Sequence, residues 1–455
     1  MIDFNFFKNI FTKLQKKVGI TTEVELFGDI TDNTTIVWSE GKLEDCYNTV
    51  SQGIGLRIIK NSRTGFAYTN NFSDSVIDDL VLLAEQNREL MPEDEYNTIA
   101  SPTKINTELD ISDETFRKIP IDKKINILKN MERFALSNKK IRSIAKAGYS
   151  ESSGETYIVN SNRVAYISRG TFFSYGISCV ASDGSEGRGK EGECGEIQVG
   201  GESTIKRIFN DIDFETTTSQ AVRNAVDLLG AKRIKTGSYP VIFNQNVGCD
   251  FLGLFSASFS AFAVQKNVSL LKERINQKVC SEKLSIIDDG TLTNGVATSS
   301  FDDDGIPTQK TIIIENGVLK NYIHNLYTAK KDNTKSTGNA SRGYSGLSVP
   351  EATNLYIQQS ETILDSLLKK MGRGLYITET MGMHNADAVS GEFSVGVNGF
   401  YVENGEKKFP VHGVTIAGNI LDLFDNILDI GNDLKFYGSI GSPSLLINQL
   451  SVAGE

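Results

Sequence analysis

The chain has 455 residues, more than a single hydrophobic core usually serves, so we expect two or three domains. Hydrophobic residues make up 39% and charged residues 23%, which is typical of globular proteins and excludes a disordered or fibrous chain. The formal net charge of -10 argues against a direct nucleic-acid partner, because binding phosphates requires a basic face.

The N-terminal segment predicts a packed amphipathic helix, with a membrane-surface helix as the minor alternative. It has no apolar run or small-residue cleavage site typical of a secretory signal. No window of the chain approaches about 18 apolar residues, so we expect no membrane span.

The cysteines are odd in number, widely spaced and without a C-x-x-C pair, so we expect reduced thiols in a cytoplasmic protein. The helical stripe is Phe4, Phe7, Ile10, Phe11 and Leu14, and the cysteines are Cys46, Cys179, Cys194, Cys249 and Cys280.

Alternation of polar and apolar residues then predicts an antiparallel sheet. The next segment predicts a helix that Ser75 caps, with Asp78 three residues later, and whose apolar stripe is Val76, Leu80, Leu83 and Ala84. After a polar connection, a further helix leads into several short strands separated by turn signals. This pattern favours a β-meander.

The segment 182–201 is the most glycine-dense of the chain, and it favours a mobile hairpin or flap over a phosphate loop, since the G-x-x-x-x-G-K-[ST] order is missing. A helix capped by Thr217, with Gln220 three residues later, should follow. The run 247–265 is apolar and rich in small residues, which favours one long buried helix. The remaining chain is mainly strands and glycine turns, with short helices near 361–370 and 418–428.

These elements predict an α+β protein with two lobes, an N-terminal sheet-and-helix lobe (1–235) and a β-rich C-terminal lobe (236–455). Within them we expect an N-terminal sheet and helix subdomain over 1–100, a middle β-meander subdomain with flanking helices over 115–235, and a β-rich domain over 236–455.

The residues that could carry chemistry are few. The three histidines, His324, His384 and His412, are far apart in sequence, so no local two-histidine zinc motif exists. The acidic run FDDDGIP at 301–307 could hold a hard cation, but a solvated turn explains it equally well. No serine turn matches G-x-S-x-G, which makes a serine nucleophile a weak hypothesis.

Several segments, taken in chain order, resemble the TldD/PmbA family, whose members are also called modulators of DNA gyrase. They are GIGLRIIKNSRTGFAYTNNFS, FDDDGIPTQKTIIIENGVLKNYIHNLYTAKK, STGNASRG, PEATNLYI, SGEFSVGVNGFYVENGEKKFPVHGVTIAGNI, GNDLKF and PSLLINQLSVAG. The resemblance implies a cytoplasmic peptidase in which a TldD subunit with an H-E-x-x-x-H zinc site pairs with a TldE (PmbA) subunit that lacks it.

This sequence departs from the TldD pattern where zinc would bind. The position equivalent to the zinc helix reads FSASFS at 255–260, so Phe255, Ser256 and Ser260 stand where the two histidines and the catalytic glutamate are implied. A late cysteine ligand is also implied, yet the last cysteine is Cys280. The chain therefore resembles the TldE (PmbA) branch, with no catalytic residue and no metal or other cofactor of its own and with zinc expected in a TldD-like partner.

Two functions from different classes follow. In one, the chain is the non-catalytic half of a TldD/TldE heterodimer that cleaves unfolded peptides. In the other, it is a homodimeric peptide-binding or scaffold protein. A self-sufficient hydrolase is a weaker third possibility.

By resemblance, the peptide cleft lies beside 255–260, and the glycine turns around Asn339, Arg342 and His384 belong to its surroundings. These three side chains could bond a peptide's carbonyls or carboxylates. On that hypothesis, replacing Arg342 or His384 by alanine should leave the melting temperature nearly unchanged. The alternative is that the turns merely connect strands.

Overall fold

The N-terminal lobe is built on one antiparallel sheet with helices against one face. The computed structural model describes residues 3–19, 21–105, 109, 112–183 and 197–455. In chain order the lobe contains α1 (Phe4–Val18), β1 (Glu23–Ser39), β2 (Lys42–Lys60), β3 (Arg63–Thr69), α2 (Asp74–Leu90), α3 (Ile121–Leu136), β4 (Ile141–Asn160), β5 (Ala165–Ser182), β6 (Ile197–Lys206) and α4 (Phe214–Val226).

The six strands run in the order β3-β2-β1-β4-β5-β6, so the first three strands and the next three form one continuous sheet. Two helix pairs cover the two ends of the same face. One core lies under α1 and α2, and a second lies under α3 and α4. In β1, Leu26 belongs to the first core and Ile36 to the second, and their even spacing places both on the helix side. The opposite face is therefore free to meet the C-terminal lobe.

The C-terminal lobe is dominated by strands. It contains β7 (Gly237–Phe243), α5 (Gln245–Ser256), α6 (Ala261–Gln265), β8 (Ile286–Asp289), β9 (Lys310–Glu315), β10 (Val318–Leu319), α7 (Leu326–Lys331), β11 (Ala340–Ser341), β12 (Val349–Pro350), β13 (Leu355–Ile357), α8 (Leu364–Met371), β14 (Arg373–Met381), β15 (Glu392–Glu403), β16 (Glu406–Asn419), α9 (Ile420–Asp425), β17 (Ile427–Ile430), β18 (Lys435–Tyr437), β19 (Ile440–Ser442) and β20 (Leu445–Ala453).

Two six-stranded sheets organise this lobe. One has the order β16-β15-β14-β7-β20-β17 and curls back on itself, because β16 also pairs with β20. The other has the order β10-β9-β8-β13-β19-β18. Helix α5 packs between them, with Phe251 and Phe255 in a large core that both sheets share. The α+β fold with two lobes is confirmed.

A smaller core joins the lobes. Phe27 and Ile158 of the N-terminal sheet pack with Phe301 of the C-terminal lobe, and Ala100 and Val164 complete the cluster. Arg207, which follows β6, donates to the Thr298 carbonyl oxygen at 2.8 Å. The lobes are therefore held together by apolar contacts as well as by hydrogen bonds.

Two predicted helix starts are wrong. Helix α2 begins at Asp74 with Ser73 as its N-cap residue, and it leaves Leu83 48% exposed while Leu80 is buried. Helix α4 begins earlier than Thr217, because the Asp213 carboxylate accepts from the Thr216 N–H at 3.0 Å and supplies the cap. The capping-box pattern is present in both segments, but only α4 has a side-chain cap, from Asp213, whereas Ser73 of α2 makes no side-chain cap hydrogen bond.

Two strand and helix predictions also differ from the structure. The short strands predicted in the middle subdomain are merged into two long ones, since Gly154 pairs with Gly170 inside β4 and β5 where turns were expected. The single long helix over 247–265 is interrupted by a 3₁₀ turn at 257–259. There the Phe259 carbonyl accepts from Ile323 N–H at 2.9 Å, and Ala261 N–H donates to the Ile323 carbonyl at 3.0 Å. Pairing with this neighbouring segment breaks the helix.

The predicted glycine-rich flap falls largely on residues 184–196, which include Cys194 and lie outside the described residues. Among the residues that are described, no helix combines the length and the apolar character needed to cross a membrane.

Candidate functional site

The segment 255–260 lies where α5 ends and the chain turns into α6. Phe255 is fully buried, with its ring centroid 4.8 Å from that of Phe259 and 5.0 Å from that of Phe424. Aromatic rings at these distances pack favourably and exclude water. At the position of the first implied histidine, this chain therefore has a core residue.

Ser256 and Ser260 face a small cavity, here called the cleft, with a volume of about 330 Å³. The Ser256 hydroxyl donates to the Gly253 carbonyl at 2.7 Å, and the Ser260 hydroxyl donates to the Pro350 carbonyl at 3.2 Å. Glu351 is the one carboxylate in the described lining, which has no histidine or cysteine. The cleft can offer hydrogen bonds to a peptide.

Zinc sites in proteins use about four ligands drawn from cysteine, histidine and carboxylate side chains. One phenylalanine and two serines bonded to backbone carbonyls do not fit such a site, and a metal-bound water could not be generated by them. Within the described ranges, no three His, Cys, Asp or Glu side chains converge in a way that could hold a metal ion. That the purified chain binds no zinc stays a prediction.

Asn339 lies behind the cleft and not in it. Its side chain is buried and donates to the Asp288 carboxylate at 2.7 Å and to the Glu351 carbonyl at 3.0 Å. Asp288 also accepts from the backbone N–H of Thr353 at 2.6 Å. Burial raises the pKa of Asp288 to about 6, although these hydrogen bonds lower it. Asn339 thus connects the cleft wall at Glu351 to a buried carboxyl group.

Arg342 lies at the junction of the two lobes. Its side chain is 1% exposed, and its guanidinium is 2.8 Å from the Glu25 carboxylate and 4.4 Å from the centre of the Phe27 ring. The same Glu25 oxygen is 2.9 Å from the guanidinium of Arg57. Two arginines, one from each lobe, therefore share a buried carboxylate of the N-terminal sheet.

The buried ion pair of Arg342 determines the expected effect of replacing it. Removing one partner of a buried ion pair leaves the other charge uncompensated, which strongly destabilises a protein. Replacing Arg342 by alanine is thus expected to lower the melting temperature, and not to leave it unchanged. Whether Asn339, Arg342 and His384 contact a peptide stays a prediction.

The acidic run at 301–307 is not a solvated turn. Asp302 is buried and accepts from the Ala340 N–H at 2.9 Å, and Asp303 accepts from the Arg342 N–H at 2.9 Å. Asp304 accepts from the Ser348 hydroxyl at 2.8 Å. Burial raises the pKa of Asp302 well above its usual range and that of Asp303 to about 6. The acidic run therefore holds the loop that carries Arg342 through hydrogen bonds. The sequence around 301–307 could not predict this role, because the donors lie about 40 residues later in the chain.

The histidines lie in different environments. His384 is exposed and belongs to a 3₁₀ turn at Met383–Asn385. His324 is buried, and burial lowers its pKa. Among the thiols, burial raises the pKa of Cys249 and of Cys280 to about 12, which makes both poor nucleophiles at neutral pH.

A larger feature was missed in the sequence. A cavity of about 970 Å³ lies between the lobes, lined on one side by Val37, Gly148 and Gly176 and on the other by Tyr376, Lys407 and Tyr437. We call it the interlobe groove. Its sequence signal is the alternation that places Gly148, Ser150, Ser152 and Gly154 of β4, and Ser174, Gly176 and Ser178 of β5, on one face of the sheet. Small side chains therefore predominate over this part of the face.

Comparison with known proteins covers most of the chain. Three family models match, described as PmbA/TldA metallopeptidase domain 1 at residues 24–90, central domain at 114–229 and C-terminal domain at 236–454. An uncharacterized protein of Methanocaldococcus jannaschii is 32% identical over 439 residues, which cover 95% of this chain and 97% of that one. A Metalloprotease PmbA homolog of Haemophilus influenzae is 27% identical over 419 residues, covering 91% and 88%.

A solved structure agrees with these matches. The crystal structure of a candidate modulator of a DNA gyrase from Thermotoga maritima superposes with a TM-score of 0.89 and 29% identity, covering 99% of this chain and all of that one. The similarity thus extends over sequence, domain order and fold. The chain belongs to the TldD/PmbA family.

Proposed function

We propose that this chain is the TldE (PmbA)-like subunit of a cytoplasmic TldD/TldE-type metallopeptidase that takes part in the proteolysis of unfolded peptides. It would complete the peptide chamber, while a TldD-like partner supplies the zinc and the glutamate. The observation that carries the proposal is the cleft beside 255–260, where a cavity lined by serine hydroxyls stands at the position implied for a zinc site.

The proposal is supported by the chemistry of the residues present. Phe255 packs into the core, and the Ser256 and Ser260 hydroxyls donate to backbone carbonyls, so these side chains already have partners within the protein. A peptide entering the cleft would find hydrogen-bonding partners but no activated water. Hydrolysis would then depend on the partner.

The test is to express this chain with and without a TldD-like protein of the same genome that contains an intact H-E-x-x-x-H motif. Mass in solution, zinc content and cleavage of casein are measured for each subunit and for the mixture. We expect a heterodimer in which cleavage and zinc both require the partner. A partner with its motif glutamate replaced is the control, and it should assemble without cleaving.

Stoichiometric zinc in the isolated chain, or metal-dependent cleavage by it, would contradict the proposal. A stable homodimer that ignores the TldD-like protein and still binds casein would favour the scaffold function.

A further inference from the structure

The interlobe groove is a separate candidate for binding, at the other end of α5 from the cleft. Asn244 and Gln245, at the start of α5, line the groove, and Ser256, at its end, lines the cleft. The helix has 12 residues, so at 1.5 Å per residue the two cavities are separated by roughly 18 Å along its axis. The volume of the groove, about 970 Å³, lies near the upper end of the range of ligand pockets.

The floor of the groove is a strip of the N-terminal sheet made of small side chains. The register aligns Thr35 of β1 with Ser150 of β4, and Ser150 with Ser174 of β5. In the next row on the same face, Gly148 lies between Val37 and Gly176. A solvent-facing sheet usually carries long charged side chains, and their shortage here lets a ligand approach the strands closely.

Gly148 shows that this floor is open. A Cβ atom added at Gly148 would meet no heavy atom within 4 Å, and its φ is not in the left-handed region. The space above Gly148 is thus unfilled, and a larger residue would project into it without backbone strain.

The opposite wall is aromatic and cationic. Lys407 Nζ lies 4.0 Å from the centre of the Tyr376 ring and 5.3 Å from that of Phe400. Lys435 Nζ is 2.9 Å from the Glu202 carboxylate of β6 and 2.8 Å from the Tyr437 hydroxyl. The Lys435–Glu202 pair therefore bridges the two lobes beside β6.

The charges of the groove are nearly balanced. Its described lining has four cationic side chains and three acidic ones: Lys146, Arg223, Lys407 and Lys435, and Glu202, Asp227 and Glu379. A polyanion would be attracted by an excess of positive charge, which is small here. Mixed charges, aromatic faces and hydroxyl groups next to open strand surface suit a peptide with varied side chains.

We propose that the interlobe groove binds an extended segment of unfolded polypeptide, at a site distinct from the cleft. The inference rests on the proposed function, because it assumes that this chain handles peptides. A peptide of about six extended residues covers the roughly 18 Å between the two cavities, so one chain held in the groove is long enough to be presented near the cleft.

The experiment fills the groove. In the isolated chain, Gly148→Trp places a large side chain over the floor, whereas Gly154→Trp is the matched control. Gly154 lies on the same strand and the same face, its added Cβ would be 3.8 Å from Thr31 Oγ1, and it does not line the groove. Fluorescence anisotropy with fluorescein-labelled casein should show at least about tenfold weaker binding for Gly148→Trp and no change for Gly154→Trp.

Melting curves establish that both variants are folded. Should Gly148→Trp fail to fold, Lys407→Met serves instead, since it keeps an apolar contact with Tyr376 but removes the charge, and binding should weaken at least about threefold. The inference is overturned if the parent chain does not bind casein, or if the folded variant binds it as the parent does.

These outcomes differ from those that test the subunit role. If casein binding depends on Gly148 but no active complex forms with a TldD-like protein, the groove is supported as a binding site and the subunit role is rejected. If an active complex forms but casein binding by this chain does not depend on Gly148, only the proposal that the groove binds polypeptide is rejected.

Discussion

The cleft segment 255–260 and the lobe junction around Arg342 both lie within the C-terminal region that the family model matches, yet their side chains have opposite characters. At the cleft, Phe255 is buried among aromatic rings, and the hydroxyls of Ser256 and Ser260 donate to backbone carbonyls. At the junction, Glu25, Arg57 and Arg342 bury their charges against one another. The region that the family model matches therefore includes residues that hold the two lobes together as well as the segment implied to correspond to the zinc helix.

The sharpest test of this comparison is Arg342→Ala. It would leave Glu25 with one of its two cationic partners in a buried site, and we expect a loss of about 3–5 kcal/mol in the free energy of unfolding. Urea denaturation measures it. The control is Arg63→Ala, because Arg63 pairs with Glu93 at 3.3 Å on the surface, where an ion pair is worth about 0–1 kcal/mol. Equal effects of the two substitutions would show that the junction is not a structural ion pair.

A second prediction concerns the cleft segment as a packing element. Phe255→Ala should cost about 3–5 kcal/mol of unfolding free energy, because it opens a cavity between Phe259 and Phe424. Phe262→Ala, seven residues later in α6, is the control, since Phe262 is 36% exposed. A small effect of Phe255→Ala would mean that the aromatic packing of Phe255 contributes little to stability.

The sequence predicted the two lobes, the N-terminal helix and the fold class, because these depend on hydrophobic periodicity over many residues. It did not predict the burial of Asp302 or Arg342, since each is stabilised by partners far away in the chain, such as Glu25. The break at Phe259 was missed for the same reason, because it pairs with Ile323. The cap at Asp213 was missed for a local reason, because the Asp213 carboxylate competes with Thr217 for the start of the helix. Predicting the interlobe groove would have required the register of four strands, although the alternation of its small residues is visible in the sequence.

A third prediction uses the buried carboxyl group behind the cleft. The pKa of Asp288 is raised to about 6 in the folded chain, above its usual value, so its contribution to stability is fully present below about pH 4 and is lost as the pH rises through 6. The stability of the parent minus that of Asp288→Asn should thus fall between pH 4 and 6.5. Thermal or urea unfolding at several pH values measures the difference.

The control for this pH dependence is Asp387→Asn. Hydrogen bonds from the Val389 N–H and the Ser390 hydroxyl lower the pKa of the exposed Asp387, so its contribution is present above about pH 4 and is lost as the pH falls. The corresponding difference should have the opposite slope and lie at lower pH. Equal slopes for the two variants would show that burial does not control Asp288.

The smallest effect on stability is expected for His384→Ala. His384 is exposed in a short 3₁₀ turn, and substitutions of such residues usually change the free energy of unfolding by less than about 0.5 kcal/mol. If His384 contacts a peptide at the chamber, partner-dependent cleavage of casein should nevertheless fall, and His384→Gln should keep part of it by preserving a hydrogen-bond donor. Arg342 is less suited to this test, because its burial couples any effect on peptide binding to lobe stability. Unchanged cleavage by a folded His384→Ala complex would leave the glycine turn as a connection between strands, and the search for peptide contacts would move to the interlobe groove.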